Sequence, residues 1–165
     1  MPENFNNNNR NNRKFTIIEH LSDIGIRVYA GSLEELFENA ALGMFSIMCD
    51  LKTVKLVEKR RIEIKESSLK SVKIGLEDLL VIWLEKLLYT YEVKKMLFSK
   101  FYIIRLINTD FRKLIEAEAY GEKIDFKRHE LIIAVKAPTY HMLELKTVSD
   151  KKLGYSWFAQ VIFDV

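Results

Sequence analysis

The stretch from Ser32 to Met48 has the clearest periodic pattern in the chain and predicts a long α-helix. Ser32 and Glu35 form an S-x-x-E capping box, which satisfies free N–H groups in a first helical turn. Apolar residues then recur at three- and four-residue spacing: Leu33, Leu36, Phe37, Ala40, Ala41, Met44, Phe45 and Met48. The opposite face carries Glu34, Glu38 and Asn39. We therefore expect this helix to lie with its apolar face on a sheet.

A second helix is predicted from about Leu76 to Tyr91. Its inner face would hold Leu76, Leu79, Leu80, Trp83, Leu84, Leu87, Leu88 and Tyr91. Val81 and Ile82 widen the apolar arc beyond a single stripe, which predicts a helix covered on more than one side. A face for docking a partner protein is the alternative interpretation.

Most of the remaining chain has the composition of β-strands. FTIIEH and IGIRVYA flank the turn-like residues 22–25, and residues 54–66 alternate between apolar and charged. Five more runs follow: FYIIRLIN, FRKLIEAEAY, LIIAVKA, YHMLELKTV and YSWFAQVIFDV. Residues 67–71 read as a loop, and residues 108–110 as a hairpin connection. The predicted class is α+β, a mostly antiparallel sheet of about six to seven strands with two main helices packed on it.

Length and composition predict one domain behind a short leader. The chain has 165 residues, of which 48% are hydrophobic, enough for one core. Residues 1–14 are rich in asparagine and poor in apolar mass, so we expect a disordered leader, with the folded domain at 15–165. The net charge is +3, and the domain itself is close to neutral. It therefore lacks the broad positive field that drives non-specific nucleic-acid binding.

The compartment is predicted from cysteine content and hydropathy. Cys49 is the one cysteine, so an intrachain disulfide cannot form, and its place at the end of an apolar helix pattern favours a packing role. No uninterrupted apolar run approaches the ~18 residues of a membrane span, and the start of the chain lacks the apolar segment of a signal peptide. We expect a cytoplasmic protein.

Common catalytic signatures are absent from the sequence. It contains neither a phosphate-binding G-x-x-x-x-G-K-[ST] loop nor G-x-G-x-x-G or G-x-S-x-G. The three histidines, His20, His129 and His141, are not spaced as a helical zinc pair. A surface or hydrogen-bonding role is the favoured interpretation for each, ahead of general acid–base catalysis.

Two aspartates remain as candidate metal ligands. Asp23 lies in a tight turn, and Asp164 ends an aromatic-rich strand next to the oxygens of Val165. A hard cation such as Ca²⁺ or Mg²⁺ requires clustered oxygen ligands, which these residues would supply if the strand end meets the turn. Spacing alone leaves the alternative open, with Asp23 as a turn former and Asp164 as a solvated terminus.

The ordered series of segments resembles the archease family. The residues that carry the resemblance are His20–Gly25, Ser32–Ala41, Met44–Phe45, Met48–Asp50, Leu76–Leu84, Gly121–Glu122, His129, Val135–His141 and Val161–Val165. Each motif is weak alone, but their order and spacing across 15–165 are specific. Departures from the family pattern include Leu21 and Ser22 for T-A, Cys49 for threonine and Val165 for isoleucine. None of them removes a carboxylate.

The resemblance implies a non-catalytic protein cofactor of the GTP-dependent tRNA-splicing RNA ligase, which promotes ligase guanylylation and multiple turnover. It also implies a divalent cation, usually calcium, bound by Asp23, Asp164 and Val165. His20 and Lys136 are candidate contacts with the ligase. RNA would be met only indirectly, and no membrane is involved.

Two other functions stay open at this point. One is a chaperone-like partner of an RNA methyltransferase, which would use the broad face of the second helix. The other is a metal-dependent phosphoesterase that uses the same aspartates. The sequence has no visible base paired with them, which argues against the enzyme.

Overall fold

A computed structural model describes residues 13–20, 22–67 and 73–165, with the backbone alone for His20. These residues form two α-helices and eight β-strands. In chain order they are β1 (Phe15–His20), β2 (Asp23–Ala30), α1 (Leu33–Met48), β3 (Glu58–Ser67), α2 (Leu76–Lys94), β4 (Met96–Asn108), β5 (Arg112–Lys123), β6 (Ala137–Pro138), β7 (Glu144–Thr147) and β8 (Trp157–Asp164). The predicted leader lies almost entirely outside the described residues, as does most of the predicted loop at 67–71.

The strands form two antiparallel sheets. A five-stranded sheet has the order β1-β2-β8-β6, and β7 also pairs with β8, on the edge that β6 uses. A three-stranded sheet has the order β3-β5-β4. The predicted α+β class, the antiparallel pairing and the two main helices are confirmed. The division into two sheets was not predicted, because strand partners are not encoded in the period of a single strand.

Helix α1 contacts strands of both sheets. It meets β1, β2 and β8 on one side and β4 on the other. Its start is as predicted, since Ser32 Oγ accepts a hydrogen bond from Glu35 N at 3.2 Å. The close approach to the five-stranded sheet occurs at Gly43, where a Cβ atom would lie 3.0 Å from Ile26 Cδ1. The helix is therefore a central layer and not a cover on one sheet.

The expected polar face of α1 is a second point that the structure corrects. Asn39 is only 2% exposed, and its side-chain Nδ2 donates to the main-chain oxygen of Tyr29 at 2.9 Å. Glu38 accepts from Ile103 N at 2.8 Å, and burial raises the pKa of this carboxyl group. Asn39 thus bonds to the backbone of β2, and Glu38 bonds to the backbone of β4. Both satisfy backbone groups that would cost free energy if left unpaired.

Helix α2 covers the core from the side and is buried over a wide arc, as its sequence predicts. Trp83 has no exposed surface, and its indole Nε1 donates to Phe37 O of α1 at 3.0 Å. Val81 is also buried, while Tyr89 and Val93 stay exposed. The broad apolar face proposed for a partner is therefore used within the domain itself.

The predicted strand LIIAVKA is largely wrong. Residues 132–136 form no regular strand, and the ladder is limited to Ala137–Pro138. Val135 is buried, whereas Ile132 is exposed, so the apolar run only partly covers the core. The segment bonds to the end of α1, with Ile132 N donating to Met48 O at 2.8 Å.

Cys49 is buried at the end of α1, which confirms its packing role. Burial raises the pKa of its thiol to about 11, so the reactive thiolate is disfavoured at neutral pH. Within the described residues, no helix combines the length and apolarity needed to cross a membrane.

Gly121 provides a test of how closely β4 and β5 approach each other. A Cβ atom there would lie 1.8 Å from Leu97 O and 2.8 Å from Phe98 Cα, which are backbone atoms of β4. We expect Gly121→Ala to lower the free energy of unfolding by about 3 kcal/mol or more, since overpacking against backbone cannot be relieved by a rotamer change. Urea denaturation followed by circular dichroism measures the effect.

The matched control is Gly31→Ala. The nearest atom to a Cβ at that position is Glu35 Oε2 at 3.3 Å, the end of a flexible side chain. This variant should stay within about 0.5 kcal/mol of the parent. Equal stability of the two variants would contradict the packing described here.

Candidate metal centre

The predicted ligands lie at one end of the five-stranded sheet. The register of β2 and β8 ends with the pair Ile24–Phe163, and continuing it by one residue would set Asp23 opposite Asp164. Directly opposed residues in an antiparallel pair have Cα atoms about 4.5–5.5 Å apart. On the outer sides, the backbone of His20 is paired with Asp23, and Ala137 is paired with Asp164. The fold thus brings together residues that are separated by about the whole length of the domain.

Lys136 and Val165 complete this end of the sheet. Lys136 N donates to Asp164 O at 2.8 Å, and Lys136 Nζ donates to the main-chain oxygen of Val165 at 2.9 Å. The ammonium group therefore lies on an oxygen that the sequence assigns to the metal. A cation that uses this oxygen has to displace the lysine or share the oxygen with it.

The chemistry of the donor set fits a hard cation. Both carboxylates are exposed, and like charges directly opposite each other on a sheet are destabilising, so a bound cation would relieve their repulsion. Ca²⁺ takes six to eight oxygen ligands, and waters commonly supply some of them. Across the described parts of the chain, however, no three side chains of His, Cys, Asp or Glu are grouped to hold a metal ion. Any cation here would rely on two aspartates, main-chain oxygen and water.

A cavity of about 170 Å³ adjoins Asp23 on the sheet face turned away from α1. Its lining includes Arg27, His141 and Gln160, none of which was singled out as a site residue. Arg27 Nε donates to Gln160 Oε1 at 3.1 Å, and Gln160 Nε2 donates to Met142 O at 3.1 Å. Position 27 shares the strand face of Asp23 by its even spacing, which is the signal that could have found it. His141 reaches the site only through the tertiary fold.

Gly25 allows β2 and β8 to approach at this site. A Cβ atom at position 25 would lie 2.6 Å from both Ile162 Cδ1 and Val161 O. The Ile162 side chain therefore occupies the space that a larger residue would need, between Asp23 and Arg27 on the same face. The D-x-G spacing found in the sequence reflects this packing.

Comparisons with known proteins identify the family of this chain. The model of the Archease protein family (MTH1598/TM1083) matches residues 15–165, the full extent of the folded domain. The chain belongs to the archease family.

Individual archeases resemble the chain over most of its length. The protein archease of Sulfurisphaera tokodaii is 42% identical over 135 residues, which cover 81% of this chain and 89% of that protein. The protein archease of Methanosarcina barkeri is 35% identical over 153 residues, covering 93% and 97%. The solution structure of Methanobacterium thermoautotrophicum protein 1598 is 35% identical, with a TM-score of 0.74 and coverage of 92% of this chain and 99% of that one.

A second polar cluster involves the Gly121–Glu122 and His129 segments that carry part of the archease resemblance. Glu122 Oε1 accepts from Lys55 N at 2.8 Å and from Arg128 Nη1 at 2.8 Å, and it lies 3.0 Å from His129 Nε2. His129 Nδ1 accepts from Asp125 N at 2.9 Å, which leaves Nε2 to face Glu122. Both ring nitrogens are occupied. His129 is therefore a buried structural residue, as favoured from sequence, and not a general base.

The Glu122 cluster makes stability depend on pH. Hydrogen bonds from Arg128 first, then those from Lys55 N and His129, lower the pKa of Glu122 to about 2. Because the folded pKa is depressed, the ionised group stabilises the fold above the unfolded pKa, near 4.5, and this stabilisation is lost as pH falls toward 2. We expect Glu122→Gln to cost about 2 kcal/mol at pH 7 and progressively less at acid pH.

Denaturant unfolding between pH 3 and 7 measures this difference. Glu130→Gln removes an exposed carboxylate nearby and serves as the control. A gap between parent and Glu122→Gln that stayed constant over this range would show that the carboxylate does not carry the pH dependence.

Proposed function

We propose that the protein is a divalent-cation-binding cofactor that activates the GTP-dependent tRNA-splicing RNA ligase. It would promote guanylylation of the ligase and its multiple turnover, while the covalent steps remain with the ligase. Membership of the archease family is the first support for this function. The observation that supports the metal site is the β2–β8 register, because its last pair, Ile24–Phe163, is followed by Asp23 on one strand and by Asp164 on the other.

Calcium is the cation we propose, held by Asp23, Asp164 and main-chain oxygen of Val165. The β2–β8 ladder holds the C-terminal strand in place by itself, so the cation is not needed to bring the two ends together. Its role would be to neutralise two opposed carboxylates and to fix their orientation at the sheet end. A fixed charged surface of this kind can position the groups of a bound partner, and positioning alone is worth large factors in rate.

The ligase would dock at this same end of the sheet, in the cytoplasm. Lys136 is exposed and the backbone of His20 is next in the row, which supports both as contact residues. The protein would then contact RNA only through the ligase bound at this surface. An RNA methyltransferase remains the alternative partner, but the inner face of α2 is buried within the domain, although Tyr89 and Val93 of this helix are exposed.

The metal site predicts that Ca²⁺ stabilises the folded chain. Excess Ca²⁺ at about a hundred times its dissociation constant should add ~2.7 kcal/mol, because the ion binds only the folded state. The Asp23→Asn/Asp164→Asn double variant should lose this gain without losing stability in EDTA, since it also removes a carboxylate pair. Thermal unfolding with Ca²⁺ and with EDTA measures both effects.

Asp110→Asn, in the exposed loop between β4 and β5, is the matched control and should respond to Ca²⁺ like the parent. If the double variant is still stabilised by Ca²⁺, the ion binds at another place on the molecule.

The activator function predicts that this protein increases the number of turnovers of the ligase. Adding the protein to its cognate ligase should convert slow, single-round RNA joining into multiple turnover. Asp164→Ala should reduce this stimulation about tenfold or more, because a displaced surface positions the ligase groups poorly. Gel-based joining assays with excess RNA, run beside Asp110→Ala, measure the effect.

The same preparations test the phosphoesterase alternative, which is supported by His141 in the cavity beside Asp23. Phosphoester hydrolysis by the pure protein that disappears in both Asp23→Asn and His141→Ala would favour an enzyme. Ligase turnover unaffected by the protein would end the activator proposal.

A further inference from the structure

A second cavity, of about 280 Å³, lies at the opposite end of β2 from Asp23. It is lined by Arg13, Tyr29, Lys152, Leu153 and Tyr155. Its volume is near the lower limit of the ~300–1,000 Å³ typical of small-molecule sites. Two cationic and two aromatic side chains in one cavity are a combination that the ligase-activator function does not use.

The aromatic wall is built by contacts between two separate segments. The rings of Tyr29 and Tyr155 are 4.9 Å apart in an edge-to-face arrangement, and that of Phe158 is 5.7 Å from Tyr29. Gly154, at φ 75°, ends a 3-10 turn and turns the chain so that Tyr155 reaches β2. The three rings form a continuous surface on the sheet face away from α1.

The backbone around this wall is held on several sides. Tyr29 N donates to Lys14 O at 3.0 Å, which fixes the segment carrying Arg13 beside the tyrosine. Tyr29 O accepts from the buried Asn39 side chain. Ser156 N donates to Ala30 O at 2.9 Å. The cavity is thus largely pre-formed, which lowers the entropic cost of binding a ligand.

The cations of this cavity have little local compensation. The ion pairs found among the described residues include neither Arg13 nor Lys152. The nearby Asp150 carboxylate accepts from the backbone N of Lys152 at 3.0 Å and contributes one opposing charge. Further along the rings, Lys146 lies 5.3 Å from the centre of Phe158 and is paired with Glu144. The cavity itself therefore keeps a positive character in an otherwise near-neutral domain.

We propose that this cavity binds a nucleotide, with the base stacked on one ring of the Tyr29–Tyr155 pair and the phosphate held by Arg13 and Lys152. A nucleotide joins a flat π-surface to an anionic group a few ångströms away, and single-strand-binding proteins recognise it by aromatic platforms combined with basic side chains. The nucleotide belongs either to a free mononucleotide or to a single RNA strand. This assigns direct nucleotide binding to the chain itself, in contrast to the expectation that RNA is met only through a partner.

The cavity and the carboxylate pair share one face of the sheet. Tyr29 is six residues from Asp23 on β2, which corresponds to about 20 Å at ~3.3 Å per residue. Nucleotide binding at one end and cation binding at the other can therefore be removed separately. Failure of one does not imply failure of the other.

Fluorescence anisotropy with a short fluorescein-labelled oligoadenylate, and NMR titration with AMP, test the proposal on the full chain. We expect Arg13→Gln/Lys152→Gln to weaken binding at least tenfold. Tyr155→Leu, which keeps apolar volume but removes the ring, should weaken it about tenfold through lost stacking. Shifts of the Tyr29 and Tyr155 signals with AMP alone would assign a free nucleotide, and shifts with the oligonucleotide alone would assign a strand.

The matched control is Arg112→Gln/Lys127→Gln, which removes the same net charge from the exposed first residue of β5 and from the exposed turn after that strand. It should bind within about twofold of the parent. Equal losses of nucleotide affinity in the two double variants would show that binding is non-specific electrostatic attraction, and would overturn the proposal. So would the absence of binding to both probes, or full binding by Tyr155→Leu in a sample whose circular dichroism matches the parent.

Discussion

The burial of α1 between two sheets is the interaction on which the rest of this structure depends. Most of its apolar side chains are fully buried, and Phe37 and Phe45 have no exposed surface. The ring of Phe45 packs 5.7 Å from that of Phe98 on β4, while Gly43 lies against Ile26 on β2. A helix with this much apolar area cannot be satisfied by one sheet, because a single sheet covers only one stripe. The buried bonds of Glu38 and Asn39 then set its orientation relative to both.

This arrangement leaves the other face of the five-stranded sheet available for binding. The core side of β2 and β8 is filled by residues such as Ile26 and Val161, so polar and aromatic side chains at alternate positions project away from α1. Strand β8 is central because it pairs with β2 on one edge and with β6 and β7 on the other. That central place brings Asp164 beside Asp23, and it also brings the segment of Tyr155 beside Tyr29. The acidic and the basic-aromatic ends of the face therefore depend on one pairing.

Sequence reasoning succeeded where a signal is local. Helix α1 starts and ends at the residues that its capping box and apolar period indicate, and the connection around residues 108–110 is present. The turn expected at residues 22–25 lies earlier, because Asp23 already begins β2. It failed at residues 131–136, where an apolar run forms one isolated bridge at Leu131 and no ladder. It also misplaced Asn39, because a polar residue next to an apolar stripe gives no indication of whether a second sheet will cover it. Arg27 was within reach of period-two reasoning from Asp23, whereas His141 was not, since its position beside β2 depends on a long connection.

By itself, the sequence determined the α+β class, the two helices and, through its resemblance to archeases, the residues proposed as metal ligands. Those properties follow from periodicity, capping and motif order, which are written along the chain. Only the tertiary structure decided that Asp23 and Asp164 follow the last pair of the β2–β8 register, that Lys136 lies on the Val165 oxygen, and that Arg13 and Lys152 share a cavity with two tyrosines. The physical reason is that strand register and loop packing minimise the free energy of the whole core, so distant side chains meet only where that minimum places them.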